Sequence, residues 1–318
     1  MQIIRTVFYT LLFSVLFCCN PPEPKPTDFP VEKVEIDSSD PQYGYYLQVK
    51  PKGQSPDGVL VLLPGFGQKS EDIFLDTKLH NYAADNNFLT IGFAGGPRIT
   101  ADSLLRTKLT DVLNHVLQEH EVSQSQFAFG GFSAGGVIAL RYAELCHQFP
   151  EEYPVLPTAV FMADSPVDLY HSWSLQLENI KNNSSEIAVN EAKWVKKFYT
   201  RFYGGTPSEV PDVYRDLSPF SIDKSYGTNE EHLKDVAIRA YHDVDIAWRI
   251  TERSQTARFD NYISTSELIL RLNDLGNDKA TFIQSFKTGY RRDGERHPHS
   301  WSIVDAEECI EWIMQSLE

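Results

Sequence analysis

Short apolar runs alternate with amphipathic stretches along most of the chain. The run Gly58–Leu63 is apolar after its first residue, as expected of a strand that is covered on both faces. Further on, apolar residues recur at steps of three and four, at Leu105, Leu109, Val112 and Val116, which predicts one buried stripe along a helix. Strands and helices that alternate in this way predict a doubly wound, mostly parallel sheet with helices on both faces.

The same reasoning assigns the remaining elements. The predicted strands cover residues 43–50, 58–63, 88–93, 126–129, 156–163, 236–241 and 281–286. The predicted helices cover residues 71–86, a stretch that begins between 100 and 103, and residues 136–146, 265–273 and 307–317. No internal repeat interrupts this order, so one α/β domain from residue 41 to residue 318 accounts for the pattern.

The alternation stops between residues 165 and 234. This segment is rich in aromatic residues, and Val195, Phe198 and Phe202 have helical spacing, so at least one helix with an apolar face is expected there. One crossover helix would need far fewer residues. We interpret the segment as a helical cap inserted over the carboxyl edge of the sheet, where open α/β sheets bind their ligands.

The N-terminus has the pattern of a signal peptide. Arg5 supplies a positive charge, Val7–Phe17 supplies an apolar run too short to span a bilayer comfortably, and Cys18 and Cys19 follow. The segment resembles a bacterial lipoprotein signal, which predicts a signal peptide over residues 1–19, a lipid anchor at Cys19 and export to the cell envelope. An ordinary secretory signal or an uncleaved anchor are the alternatives. The proline-rich residues after it predict a tether over residues 20–40.

Charge and cysteine content narrow the possible partners. The formal net charge is −15 and the chain contains no basic block, which argues against nucleic acid as a partner. Beyond the signal segment only Cys146 and Cys309 remain, each in a predicted helix, so two buried thiols are expected rather than a disulfide framework.

The stretch that carries the chemistry follows the fourth predicted strand. Gly131-x-Ser133-x-Gly135 has the pattern of a nucleophile elbow, a sharp turn between a strand and a helix that holds a serine clear of the sheet. Glycines on both sides avoid collisions at such a turn, although they also occur in turns that only serve packing. A serine there needs a base and an acid to become a nucleophile.

Residues of both types occur in a suitable order. Asp243 and Asp245 follow the strand at 236–241, and His299 lies on the loop after the last predicted strand. Serine, acid and base in this order resemble the α/β-hydrolase superfamily, and the resemblance extends from about Tyr43 to Glu318. In that family the acid follows a His-Gly pair by three residues. Tyr241-His242 stands in place of the pair, which selects Asp245.

The departure from His-Gly leaves Asp243 open as the acid. Asp164, also at a strand end, is a third candidate because some members take the acid from that strand, but a cap-hinge or helix-start role is the favoured interpretation of it.

The resemblance implies the other members of the site. His299-Ser300-Trp301 looks like the family's catalytic histidine, with His297 as the second choice. Two histidines without further ligands are weak evidence for zinc, so we expect neither a metal nor a cofactor. The oxyanion donors would be the amides of Ala134 and Phe66, with Gly67 as an alternative to Phe66.

These residues predict a serine hydrolase that cleaves carboxylic esters through an acyl-enzyme. The expected partners are a small-molecule or glycan-linked ester and, through Cys19, a membrane. Two alternatives stay open. An exopeptidase of the same fold is favoured by Tyr214-Arg215-Asp216-Leu217-Ser218-Pro219, which resembles a segment of both esterases and peptidases. A lipoprotein that only binds its ligand would need no complete triad.

Overall fold

The computed structural model describes residues 28–53 and 55–317. The predicted signal segment and its anchor residue Cys19 lie outside these residues and stay predictions. Within the described residues, no helix has both the length and the apolar character needed to cross a bilayer.

Eight strands form one sheet in the order β1-β2-β4-β3-β5-β6-β7-β8. The pairs β1–β2 and β2–β4 are antiparallel. The five pairs that follow in the sheet, from β4–β3 to β7–β8, are parallel. The sheet is therefore mostly parallel, as predicted. Its strands are β1 (Glu32–Glu35), β2 (Tyr45–Val49), β3 (Gly58–Leu63), β4 (Phe88–Gly92), β5 (Phe127–Phe132), β6 (Ala159–Ala163), β7 (Ala237–Asp243) and β8 (Ala280–Ser285).

Helices cover both faces of the sheet and the edge where the parallel strands end. They are α1 (Ser70–Asp76), α2 (Leu79–Asp85), α3 (Ser103–Glu119), α4 (Ala134–Gln148), α5 (Leu169–Asn182), α6 (Glu186–Tyr203), α7 (Pro211–Leu217), α8 (Ile246–Arg253), α9 (Tyr262–Asp274) and α10 (Ala306–Leu317).

The central strands divide their side chains between two apolar layers. Val59, Val61 and Leu63 of β3 point into the layer that includes α3 and α4, whereas Leu60 and Leu62 point into the layer that includes α2 and α10. All five side chains are fully buried. A continuous apolar run on a strand therefore reflects burial on both faces, which is the reason it could be recognised in the sequence.

Two differences from the prediction change the organisation of the fold. The helix predicted over 71–86 is two helices, since Thr77 between them is extended, with φ −137° and ψ 159°. Strand β1 lies within the stretch predicted as a tether. Its pattern of exposed charged residues carries no apolar signal because β1 is the exposed edge of the sheet, paired on one side only. The folded domain therefore begins no later than Glu32, not at residue 41.

Helices α5, α6 and α7 form the cap between β6 and β7. Its aromatic residues pack mainly on one another and on the loops below, with Trp173, Tyr199, Tyr203 and Tyr214 buried in one cluster. Asp168 caps the start of α5 and also accepts a hydrogen bond from the Ile222 amide, at 2.8 Å. Asp168 thus ties the beginning of the insertion to its end.

Candidate functional site

Ser133 occupies a sharp turn between β5 and α4. Its φ of 54° and ψ of −121° are uncommon for a residue with a side chain, and its amide donates to the Ala163 carbonyl of the neighbouring strand at 2.9 Å. The register Phe132↔Ala163 brings the ends of β5 and β6 side by side. The serine predicted as a nucleophile is therefore held at the carboxyl edge of the sheet in a strained conformation, as the elbow pattern requires.

The two glycines of the motif are required by close backbone contacts. A Cβ at Gly131 would lie 2.2 Å from the Gly135 carbonyl carbon, and one at Gly135 would lie 2.1 Å from the Leu63 carbonyl oxygen. No side chain can move to relieve either collision, because the atoms met are backbone atoms. Any residue larger than glycine would therefore displace α4, and with it Ser133.

His299 faces an aspartate that the sequence ranked third. Its Nδ1 lies 2.5 Å from Oδ2 of Asp164, the residue directly after β6. Asp164 also has a left-handed backbone, with φ 45°, which Asn261 stabilises by donating its side-chain amide to the Asp164 carbonyl at 3.0 Å. The carboxylate thus reaches His299 from the strand next to Ser133 rather than from β7.

A second histidine binds the other oxygen of the same carboxylate. His242 Nδ1 lies 3.1 Å from Asp164 Oδ1, and the His242 ring is fully buried and stacked on Phe282 at 5.1 Å. An ionised carboxylate only accepts hydrogen bonds, so Nδ1 of each histidine must carry the proton. Asp164 is therefore held at both oxygens between two imidazole rings. The sequence does not predict this arrangement, because there His242 only occupies the pair that precedes the expected acid.

The charge state of Asp164 follows from these neighbours. Burial by itself raises the pKa of a carboxyl group, but the charge of His299 and the hydrogen bonds from His242 and His299 outweigh burial here. The net effect is a pKa well below the usual range for aspartate. Asp164 thus stays anionic at every pH at which the protein is expected to function.

Asp245, the acid predicted from the sequence, is placed elsewhere. It is the N-cap of α8: its Oδ1 accepts from the Trp248 amide at 3.0 Å, and its Oδ2 lies 2.9 Å from Arg296 Nη2. The alternative Asp243 binds the same arginine and accepts from the amides of Lys287 and Gly289, at 2.8 and 2.7 Å. Both aspartates therefore anchor the loop that carries His299 and do not contact its imidazole.

The second histidine of that loop supports the first. His297 Nδ1 accepts from the His299 amide at 3.1 Å, and its ring packs against Trp248 at 4.7 Å. Burial, together with the nearby charges of Arg291 and His299, lowers the pKa of His297 to about 3. His297 is consequently neutral at neutral pH and already engaged in fixing the backbone of His299.

Two backbone amides beside Ser133 have no acceptor among the residues that the structure describes. They belong to Phe66, in the loop after β3, and to Ala134, the first residue of α4. The flanking amides in the Phe66 loop are used: Gly65 donates to Gln68 Oε1 at 2.7 Å, and Gly67 donates to the Gly96 carbonyl at 3.0 Å. The geometry thus favours Phe66 over Gly67 as a donor.

Ser133, Asp164, His299, Phe66 and Ala134 line one cavity of about 270 Å³ beneath the cap. Its remaining wall is partly aromatic and partly polar, with contributions from α5, α6 and α8. The wall includes Trp194, Tyr199, Trp248, Arg249, Arg253, Gln255 and Glu191. The volume lies just below the usual range for ligand pockets, so a compact group suits it.

His299 also borders an open groove of about 670 Å³ on its other side. That groove is lined by Phe132, Tyr290 and Trp301, among others, and not by Ser133. Among the residues described, no group of three or more His, Cys, Asp or Glu side chains is placed to hold a metal ion. His299 can therefore be reached from two sides. Its nearest ionised partner is the Asp164 carboxylate.

Comparison with known proteins gives matches only among solved structures. No family model and no curated relative matches the chain. An esterase from the archaeon Pyrobaculum calidifontis is 15% identical with a TM-score of 0.57, and the match covers 92% of this chain and 86% of that one. The 2,6-dihydroxy-pseudo-oxynicotine hydrolase is 16% identical with a TM-score of 0.51, covering 91% and 68%.

A peptidase has the same architecture. The acylaminoacyl peptidase of Pyrococcus horikoshii is 12% identical with a TM-score of 0.53, and the match covers 92% of this chain but only 41% of the peptidase. Identities this low show the fold and not the activity. Strand order, the elbow at Ser133 and these structural neighbours agree, and the chain has the fold of the α/β-hydrolase superfamily.

Proposed function

We propose that the protein is a serine hydrolase that cleaves carboxylic esters through an acyl-enzyme, with Ser133, His299 and Asp164 as its triad. One observation carries this proposal: an elbow serine shares a cavity with a histidine whose Nδ1 is hydrogen-bonded to a buried, ionised aspartate. With the proton on Nδ1, the lone pair of His299 Nε2 is available to the serine hydroxyl.

The reaction then follows from the placement of the groups. Ser133 Oγ attacks the ester carbonyl carbon while His299 Nε2 takes the hydroxyl proton, and the negative charge moves to the carbonyl oxygen. The free amides of Phe66 and Ala134 are the donors for that oxyanion. His299 returns the proton to the departing alcohol oxygen as the carbon–oxygen bond breaks. Water, activated by the same histidine, then releases the acid and restores Ser133.

The test is covalent labelling. A fluorophosphonate should phosphonylate Ser133, with fluoride as the leaving group, and p-nitrophenyl acetate should be turned over by the same sample. Ser133→Ala should lose both labelling and turnover while keeping its thermal unfolding midpoint. A folded wild-type protein that neither labels nor turns over the ester would contradict the proposal and favour a protein that only binds its ligand. Faster cleavage of N-acylated peptides than of matched esters would favour an exopeptidase.

His242 should act as a positioning residue for Asp164. In His242→Phe the ring can still stack on Phe282, but Oδ1 of Asp164 loses its hydrogen bond. A hydrogen bond to a charged group contributes about 1.5–3 kcal/mol, so kcat should fall about 10- to 100-fold if most of this energy orients the carboxylate. His242→Gln, which retains an N–H donor, should recover part of the loss. A purely structural role would instead lower the unfolding midpoint of both variants with kcat unchanged.

A further inference from the structure

A row of polar side chains in the cavity wall fixes which of their atoms can face a ligand. Arg249 of α8 pairs with the largely buried Asp260 and donates from Nη1 to Gln255 Oε1 at 3.1 Å. A guanidinium group only donates hydrogen bonds, so Gln255 must present its oxygen to Arg249. Its Nε2 donates to Oδ1 of Asn179 in α5 at 2.7 Å. Asn179 is therefore held with its Nδ2 turned away from Gln255.

The Nδ2 group of Asn179 is a hydrogen-bond donor that lacks an acceptor. Asn179 is 4% exposed and lines the cavity, and its Oδ1 also accepts from the Ser184 hydroxyl at 3.2 Å. Nδ2 is not sealed inside the protein, yet no residue that the structure describes accepts a hydrogen bond from it. A largely buried N–H without a partner is unfavourable, and an acceptor that a ligand brings into the cavity would satisfy it.

Arg253 brings a positive charge to the same side of the cavity, two residues before Gln255. Its guanidinium lies over the Trp248 ring at 5.8 Å. Its ion-pair partner is Glu191 of α6, at 3.5 Å from Nη1, and the Glu191 side chain is 60% exposed. Such a long pair with an exposed carboxylate is weak. Within the described part of the chain, Nε and Nη2 of Arg253 have no acceptor, so its charge is free to meet an anion.

We propose that Asn179 and Arg253 form a carboxylate-binding subsite, and that the preferred substrates are compact esters that carry a carboxylate close to the ester group. The subsite rests on the proposed ester hydrolysis and specifies its substrate class. A carboxylate has only acceptors to offer, which matches an amide N–H and guanidinium N–H groups that lack them. The size also agrees, because a cavity of about 270 Å³ admits a small acid rather than a long acyl chain.

The acids near the subsite are compatible with an anionic ligand. Asp164 has both of its oxygens occupied, by His242 and by His299. Glu191 is exposed enough to turn into solvent when a ligand takes its place beside Arg253. The acids that give the chain its net charge of −15 act largely through water, where salt at moderate ionic strength screens charges beyond about 10 Å. The donors inside the cavity therefore decide which ligand it accepts.

Two pairs of esters test the preference, each with one anionic and one neutral member of nearly the same shape. Monomethyl succinate and methyl levulinate differ on the acyl half, and acetoxyacetate and acetoxyacetone differ on the alcohol half. In at least one pair, kcat/KM of the anionic member should exceed that of the neutral member about 10- to 100-fold, as expected for hydrogen bonds to a charged group. That pair identifies the half of the substrate that meets the subsite. The absence of a preference in both pairs would overturn the proposal.

Three variants assign the preference to the named residues. Arg253→Gln removes the charge, and the anionic-to-neutral ratio of kcat/KM should fall about tenfold or more. Asn179→Asp keeps an oxygen for Gln255 but places a second oxygen where Nδ2 was, so the ratio should fall there too. The matched control is Arg258→Gln, since Arg258 is 53% exposed, pairs with Glu178 and is not part of the cavity wall. The control should keep the ratio within about threefold, and an equal loss in Arg258→Gln would assign the preference to net charge and overturn the proposal.

A binding measurement separates the subsite from the proposed hydrolysis. Ser133→Ala cannot form an acyl-enzyme, and calorimetry should show that it binds one of the two anionic esters about tenfold more tightly than the neutral isostere. Adding Arg253→Gln should abolish that difference. Anion-selective binding in a protein whose wild type cleaves no ester would contradict the hydrolysis and support the subsite. Turnover of esters without any charge preference, in rate or in binding, would overturn the subsite and leave the hydrolysis intact.

Discussion

Asp164→Asn should lower kcat for p-nitrophenyl acetate by about 10⁴-fold, the loss expected when the acid of a serine triad becomes an amide. The carboxylate presents Oδ2 to His299 Nδ1 at 2.5 Å and stays ionised between two histidines. An asparagine in its place can direct an N–H at the imidazole and favour the tautomer with the proton on Nε2, which cannot accept a proton from Ser133. Steady-state kinetics with the labelling assay measure this change, and the crystal structure of the variant checks that the loop has not moved.

Asp245→Asn and Asp243→Asn are the matched controls. Each removes a carboxylate at the end of the same sheet, but their partners are Arg296 and backbone amides rather than His299. Turnover should stay within about tenfold of the wild type. The stability should fall by about 3 kcal/mol, the low end of the cost of breaking an ion pair with a buried carboxylate, because Arg296 keeps the other aspartate as its partner. A loss of 10⁴-fold in Asp245→Asn, with Asp164→Asn nearly unchanged, would show that the sequence choice of Asp245 is correct after all.

The apolar pattern predicted the sheet because it reports burial directly. Gly58–Leu63 was predicted with the bounds that β3 has, and the helix carrying Leu105 and Val116 has all of its predicted apolar stripe buried. The elbow was also predictable, because only glycine avoids the backbone atoms met at Gly131 and Gly135. The strand and the helix depend on burial alone, and the elbow has a short glycine-serine-glycine pattern, so one sequence is enough to find them.

The acid could not be selected in the same way. Its choice relied on Tyr241-His242 ending a strand. However, β7 continues to Asp243, so that pair lies inside the strand and Asp245 is the N-cap of α8. His242 then points at Asp164 across the boundary between β6 and β7. Which of three aspartates reaches His299 is decided by a left-handed backbone at Asp164 and by contacts 78 and 135 residues apart. Composition and spacing carry no signal for such contacts.

His299→Ala should reduce turnover by about 10⁶-fold, since loss of the base in a serine triad costs about as much as loss of all three members. Fluorophosphonate labelling of Ser133 should fall with it. His297→Gln should instead keep turnover within about tenfold, because a glutamine oxygen can still accept from the His299 amide that His297 Nδ1 now binds at 3.1 Å.

The pH dependence of turnover is a second way to distinguish the roles of His297 and His299. Turnover by a serine triad falls on acidification, because a protonated base can no longer take the serine proton. Burial lowers the pKa of His297 to about 3, so His297 is neutral throughout the range above about pH 4 and does not contribute to that fall. The acid limb of the profile should thus be the same in the wild type and in His297→Gln. A limb that shifts in His297→Gln while turnover survives in His299→Ala would identify His297 as the base, and the hydrogen bond between His299 and Asp164 would then serve only to close the loop over the cavity.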